Sequence, residues 1–237
     1  IVSSKSPATN MAIFEAQAEA LAGCSHMLRS DQRGHGGSSG TAQVDFDLLG
    51  ADVLGLLDWF KIPSCVFVGL SMGVPTGLSA YRQAPSKFSG LVFIDGQSHS
   101  APGASDQWQA RIDAVLNKGI LSFSEATSHR WIPSDNELLR ARLVEMMAKT
   151  DVAGFVAAAN ALRSYDYSHV LAEIKVPVLT MAGGLDGAMP AKLADMAQEV
   201  ESGQFVEIDG AGHVPCYEFP GKVNSALKVF LGREIGK

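Results

Sequence analysis

Three residues far apart in the chain have side chains that together perform nucleophilic acyl chemistry. They are Ser71 within Gly69-Leu70-Ser71-Met72-Gly73, Asp186 after Gly183-Gly184-Leu185, and His213 after Gly210-Ala211-Gly212. A serine hydroxyl is a poor nucleophile until a base takes its proton, and that base needs an acid to orient it and stabilise its charged form. The chain supplies nucleophile, acid and base in that order. A Gly-x-Ser-x-Gly pattern alone is weak, but this one follows the apolar run CVFVGL (65–70) and precedes a helical stretch. Such a context predicts a tight strand-to-helix turn, with glycines clearing space on both sides and the serine in a strained conformation. The Met72 amide then opens a helix and can donate to an oxyanion. The plainer alternative is an ordinary turn serine.

Competing assignments can be weighed residue by residue. Asp95 also ends an apolar run, LVFID (91–95), and stands as the second choice for the acid. Asp209 is too close to His213 in the same loop. His26 reads as a strand residue and His35 as a structural partner in a glycine-rich loop, while His99, His129 and His169 belong to or border a helical region. No His-x-x-x-His or His-Glu-x-x-His occurs, and no Asp/His pair has ligand spacing, so no metal is expected. Loop 34–40 lacks the lysine of a phosphate-binding loop, and Ser39 stands where a dinucleotide fingerprint requires glycine. No cofactor is needed for the chemistry.

To act together, the three groups must project from strand ends on one rim. The pattern provides for this. Continuous apolar runs at 65–70, 91–95 and 176–183 read as strands covered on both faces, with further strands at 26–31 and 204–209. Helical periodicity falls at 11–21 behind the N-cap Asn10, at about 46–60, 72–84, 190–201 and 220–231. Within 46–60, Phe46, Leu49, Val53, Leu56, Leu57 and Phe60 mark one buried face. The alternation predicts an α/β fold with a mostly parallel sheet and right-handed crossovers. It breaks at 97–167, where four helical patterns and no strand suggest an insertion. The expected organisation is therefore a core of 1–96 and 168–237 with an all-helical cap at 97–167.

Composition narrows the function classes. With 46% hydrophobic and 19% charged residues, 237 residues can bury one full-sized core. A net charge of −6 without a basic run disfavours nucleic acid. No apolar stretch approaches the roughly 18 residues of a membrane span, and the first ten residues lack a secretion signal. Cys24, Cys65 and Cys216 are widely spaced, which implies reduced thiols and a cytoplasmic protein.

The segments Asp31-Gln32-Arg33-Gly34-His35-Gly36-Gly37-Ser38-Ser39, Gly69-Leu70-Ser71-Met72-Gly73, Gly183-Gly184-Leu185-Asp186 and Gly212-His213 together resemble the α/β-hydrolase superfamily across essentially the whole chain. In the insertion, Trp108, Arg111-Ile112, Gly119-Ile120, Arg130-Trp131, Thr150-Asp151, Gly154-Phe155 and Asp166 resemble the cap of 3-oxoadipate enol-lactone hydrolases, although similar caps occur in small esterases and perhydrolases. Val74 departs from the second glycine found in many relatives. The resemblance further implies strands and a His-Gly loop before the nucleophile, with a second oxyanion amide in that loop. The chain opens on a loop-like Ser/Lys/Pro stretch, so these are expected to lie ahead of Ile1 and to be missing from it.

The expected activity is hydrolysis of a lactone or small carboxylic ester through Ser71, His213 and Asp186, with the Met72 amide in the oxyanion hole. Trp108, Arg130 and Trp131 are expected to line the substrate pocket, Arg130 against a substrate carboxylate; packing for the tryptophans and solvation for Arg130 are the plainer alternatives. The partner is a small molecule, and a homodimer stays open. C–C bond hydrolysis, perhydrolysis, cofactor-independent oxygenation and non-catalytic ligand reception use the same fold.

Overall fold

The structure, a computed structural model, describes residues 1–40 and 43–232. Its six strands are β1 (Val2–Ser4), β2 (Leu28–Arg29), β3 (Cys65–Leu70), β4 (Phe88–Ile94), β5 (Val178–Gly183) and β6 (Gly203–Ile208), all parallel in the order β2-β1-β3-β4-β5-β6. Strands β3 and β5 are buried along their whole length, as expected where helices cover both faces. Side chains alternate between two apolar clusters. Val66, Val68, Val92, Ile94 and Met181 point to one, and Cys65, Phe67, Leu91, Phe93 and Val178 to the other.

The opening of the chain departs from the sequence expectation. Val2–Ser4 is no loop but an interior strand, pairing Val2 with Leu28 on one side and with Phe67 on the other. Three residues are too few to show a period, and the polar Ser3 and Ser4 hide the burial that the neighbouring strands impose on them. The stretch 26–31 forms only the two-residue edge strand β2.

The helices outside 97–167 fall near their expected places. Asn10 accepts the Ala12 amide at 3.0 Å and starts a 3₁₀ turn, Met11–Phe14, that leads into α1 (Glu15–Leu21). Asp45 caps α2 (Phe46–Trp59) by accepting the Leu48 amide at 2.7 Å. Phe60, assigned by pattern to the buried face of α2, lies just beyond the helix and is 54% exposed. α3 (Gly73–Gln83) follows β3.

Between β4 and β5 lie α4 (Ala104–Trp131), α5 (Glu137–Ala148), α6 (Val152–Arg163) and the short α7 (Ser168–Leu171). Gly119, with φ 81° and ψ 163°, interrupts α4 and divides it into two helices, in keeping with two of the four helical patterns expected in this stretch. Helix α4 packs against α5 and α6. Trp131, Leu143 and Phe155 join the apolar cluster that covers one face of the sheet. The chain closes with α8 (Met189–Gln198), α9 (Pro215–Glu218) and α10 (Pro220–Phe230). Among the described residues no helix is long and apolar enough to cross a membrane.

Candidate active site

Ser71 stands at the carboxyl end of β3 with φ 55°, in the left-handed region that non-glycine residues rarely occupy. Its amide is held by the Ile94 carbonyl at 2.7 Å. The sharp turn is allowed by its glycines: a Cβ on Gly69 would stand 2.4 Å from the Gly73 carbonyl oxygen, and one on Gly73 would stand 2.5 Å from that of Ser4. Strain of this kind is typical of positions where geometry serves function.

Asp186 lies in the loop after β5 and His213 in the loop after β6, so parallel strands bring both to the rim that carries Ser71. His213 Nε2 is 3.0 Å from Ser71 Oγ, and its Nδ1 is 2.5 Å from Asp186 Oδ2. Burial pushes the Asp186 carboxyl up, but the charges and hydrogen bonds of His213 and Arg130 outweigh it, and the acid rests below its usual range. It is therefore ionised at neutral pH, as an acid that orients imidazole must be.

The other expected residues sit around this trio. The Met72 amide belongs to the first turn leading into α3. Trp131 is buried with its ring centroid 5.1 Å from that of His213, so it packs on the imidazole as well as facing the cavity. Arg130 donates from Nη1 to Asp186 Oδ1 at 2.8 Å, leaving its half-exposed guanidinium bound to the protein's own carboxylate. Trp108 lines the same cavity and carries the Arg111 guanidinium 4.3 Å from its ring centre.

That cavity, about 790 Å³, opens over Ser71 and His213 and suits a small molecule. Sequence reasoning passed over Arg111 as a site residue. It lines the cavity, and among the described residues it has no carboxylate partner. Burial lowers its pKa, with Arg130 adding to the effect. Its spacing of three from Trp108 on a helix was the available signal. Lys192 also lines the cavity, its Nζ 2.5 Å from Gln97 Oε1.

Asp95, at the end of β4, is buried with φ 43° and accepts the Gly183 amide, at 3.0 and 3.2 Å. Burial and then the charge of Asp186 push its carboxyl well above the usual range. Although chain spacing showed no Asp/His cluster, one oxygen each of Asp95 and Asp186 and one nitrogen of His213 lie within 4.8 Å of one another. His213 and Arg130 already engage both Asp186 oxygens.

The loop expected ahead of Ile1 has a counterpart inside the chain. Residues 5–10 leave β1 at the same rim as Ser71, and Pro7 lines the cavity with Ser71, Met72 and His213. The sequence reading missed it because β1 was not recognised as a strand.

Residues 12–226 match the family model described as alpha/beta hydrolase family. The chain belongs to this family. As an alpha/beta hydrolase it is 30% identical over 237 residues to 3-oxoadipate enol-lactonase 1 of Acinetobacter baylyi, covering 98% of this chain and 87% of that protein. A second enol-lactonase of the same organism is 27% identical over 238 residues, covering 98% and 88%. Among solved structures, the enol-lactonase from Burkholderia xenovorans LB400 superimposes with a TM-score of 0.91 at 27% identity, over 98% of this chain and 90% of that one. A thermophilic esterase from Thermogutta terrifontis shares the fold, with a TM-score of 0.92 at 22% identity and coverage of 98% and 89%. These hydrolases include both lactonases and esterases.

Proposed function

We propose that this alpha/beta hydrolase cleaves a lactone or small carboxylic ester through an acyl-enzyme on Ser71. One observation carries the proposal: the unbroken chain of contacts from Ser71 Oγ to His213 at 3.0 Å and on to Asp186 at 2.5 Å, opening into a cavity of molecular size. In this mechanism His213 Nε2 takes the hydroxyl proton as Oγ bonds to the carbonyl carbon, and the displaced π pair becomes an oxyanion facing the Met72 amide. Collapse breaks the bond to the leaving oxygen, which receives the proton from His213. Water then repeats the sequence and frees the acid. In a lactone the leaving oxygen stays tethered to the acyl group.

The walls support an acidic substrate. Arg111, Arg130 and Lys192 face the cavity, whereas its only carboxylates among the described residues are Asp95, whose pKa burial and the charge of Asp186 push up, and Asp186, bound by His213 and Arg130. The enol-lactonases it resembles are named for a lactone of 3-oxoadipate, itself a carboxylic acid. No nucleic acid or cofactor enters this reading, which places the reaction in the cytoplasm on a small molecule and leaves a homodimer open. Non-catalytic ligand reception is the contrasting outcome of the test. A fluorophosphonate should label Ser71, and Ser71→Ala should lower turnover of an acidic enol-lactone or its p-nitrophenyl ester analogue by about 10⁴-fold or more. Labelling without multiple turnover on any lactone or ester would instead favour a receptor, and unchanged turnover in Ser71→Ala would remove the serine mechanism.

A further inference from the structure

An oxyanion needs donors on more than one side, and in a hydrolase of this build the second comes from a backbone amide in the loop that leaves the strand beside the nucleophile's. Here that strand is β1: Ser4 pairs with Gly69, two residues before Ser71, and the Ser4 carbonyl and Lys5 amide lie against Gly73 at the head of α3. The loop after β1 is tightly fixed. Thr9 Oγ1 donates to the Ser6 carbonyl at 2.8 Å, Ala8 takes φ 60°, and Ser6 and Ala8 are fully buried. Of residues 5–10, Pro7 alone lines the cavity that holds Ser71, Met72 and His213. Proline has no N–H. Where this loop borders the cavity of Ser71, the backbone therefore has no proton to donate.

We propose that the oxyanion hole of this protein contains one fixed backbone amide, that of Met72, and that Pro7 thereby makes it selective for acyl substrates whose leaving group is weakly basic, such as an enol, phenol or thiol. The inference rests on the hydrolase reading above and adds to it a substrate property. With one donor, the tetrahedral oxyanion formed by Ser71 is less stabilised, by an amount that mutational loss of a donor puts on the order of 10²–10³ in kcat. A weakly basic leaving group makes the carbonyl more electrophilic and departs before much charge must be held on oxygen. An alkoxide leaving group does neither. A lactone closed through an enol oxygen meets this condition, whereas a saturated lactone does not.

The test uses the full chain and a series of esters of one acid with p-nitrophenyl, phenyl, trifluoroethyl and ethyl leaving groups. For the unaltered protein, log kcat/KM should fall steeply with leaving-group pKa. Pro7→Ala and Pro7→Gly, each restoring an N–H, should flatten that slope by raising kcat on the ethyl ester at least about tenfold, with a smaller rise on the p-nitrophenyl ester. A trifluoromethyl ketone, which forms a hemiketal oxyanion on Ser71, should bind more tightly to the variants. Parallel slopes, or a uniform decline in variants with unchanged circular dichroism and Tm, would overturn the proposal. If the variants do not fold, a shallow slope in the unaltered protein overturns it by itself. Failure of fluorophosphonate labelling together with absence of turnover across the series would strike the hydrolase reading first, so the two failures can be told apart.

Discussion

Arg130 and His213 share one carboxylate: Asp186 accepts the guanidinium on Oδ1 at 2.8 Å and faces the imidazole with Oδ2 at 2.5 Å. A residue expected to hold substrate thus also steadies the acid of the proposed triad. Arg130→Met should lower kcat several-fold on neutral and acidic esters alike, because the effect passes through Asp186. A loss confined to KM for acidic substrates would return Arg130 to direct substrate binding. Steady-state kinetics on a matched pair of esters, one with a free distal carboxylate and one with that carboxylate methylated, separates the two.

Arg111 carries the opposite expectation. Its guanidinium rests on Trp108 within the cavity and has no acidic partner among the described residues. A charge-assisted hydrogen bond contributes about 1.5–3 kcal/mol, so Arg111→Met should raise KM for the acidic ester roughly tenfold or more and leave its neutral counterpart nearly unchanged. Equal losses on both would assign Arg111 to packing.

Asp95 and Asp186 form an unequal pair of acids beside His213. With the Asp186 charge removed, the smaller of the two influences that raise the Asp95 carboxyl is gone, and Asp95 ionises more readily within reach of the imidazole. Asp186→Ala should therefore keep more activity than the loss of about 10⁴ typical when the triad acid is removed. Adding Asp95→Asn should then take away most of the remainder. If the double variant is as active as Asp186→Ala, Asp95 has no such reserve role.

His35 links the fold to pH. It is buried, its Nδ1 lies 3.2 Å from the Arg33 carbonyl, and its Nε2 has no partner among the described residues. Burial, then the charge of Lys5, push its pKa down to about 4. The unfolded chain binds this proton near pH 6.5, so between about 6.5 and 4 the unfolded state holds more protons than the folded one. The stability associated with neutral His35 is complete above that window and falls as pH drops through it, by about 3 kcal/mol in all. Urea midpoints at pH 7 and 4.5 should show this drop, and His35→Gln should reduce it; equal pH dependence in both proteins would remove His35 as the cause.

Local signals made much of this molecule legible in the sequence. Strands β3, β4 and β5 are long apolar runs, Asn10 caps the turn it precedes, and Gly69 and Gly73 flank a serine at a strand end. Each is written in a few adjacent residues. Because every strand in a parallel sheet points the same way, ordering those elements was enough to expect Ser71, Asp186 and His213 on one rim.

What the tertiary structure decided were relationships between segments that carry no local mark. Strand β1 is three residues long and two of them are serines, so only its hydrogen bonding to β2 and β3 makes it interior. The pairing of Arg130 with Asp186 joins residues 56 apart, and the arrival of Pro7 at the cavity that holds Ser71 depends on β1 being a strand at all. Periodicity and capping are properties of neighbouring residues, which a chain carries before it folds. Which cation meets which carboxylate, and which loop borders the cavity of the nucleophile, depend on contacts that exist only once the strands have paired and the helices between β4 and β5 have packed over them.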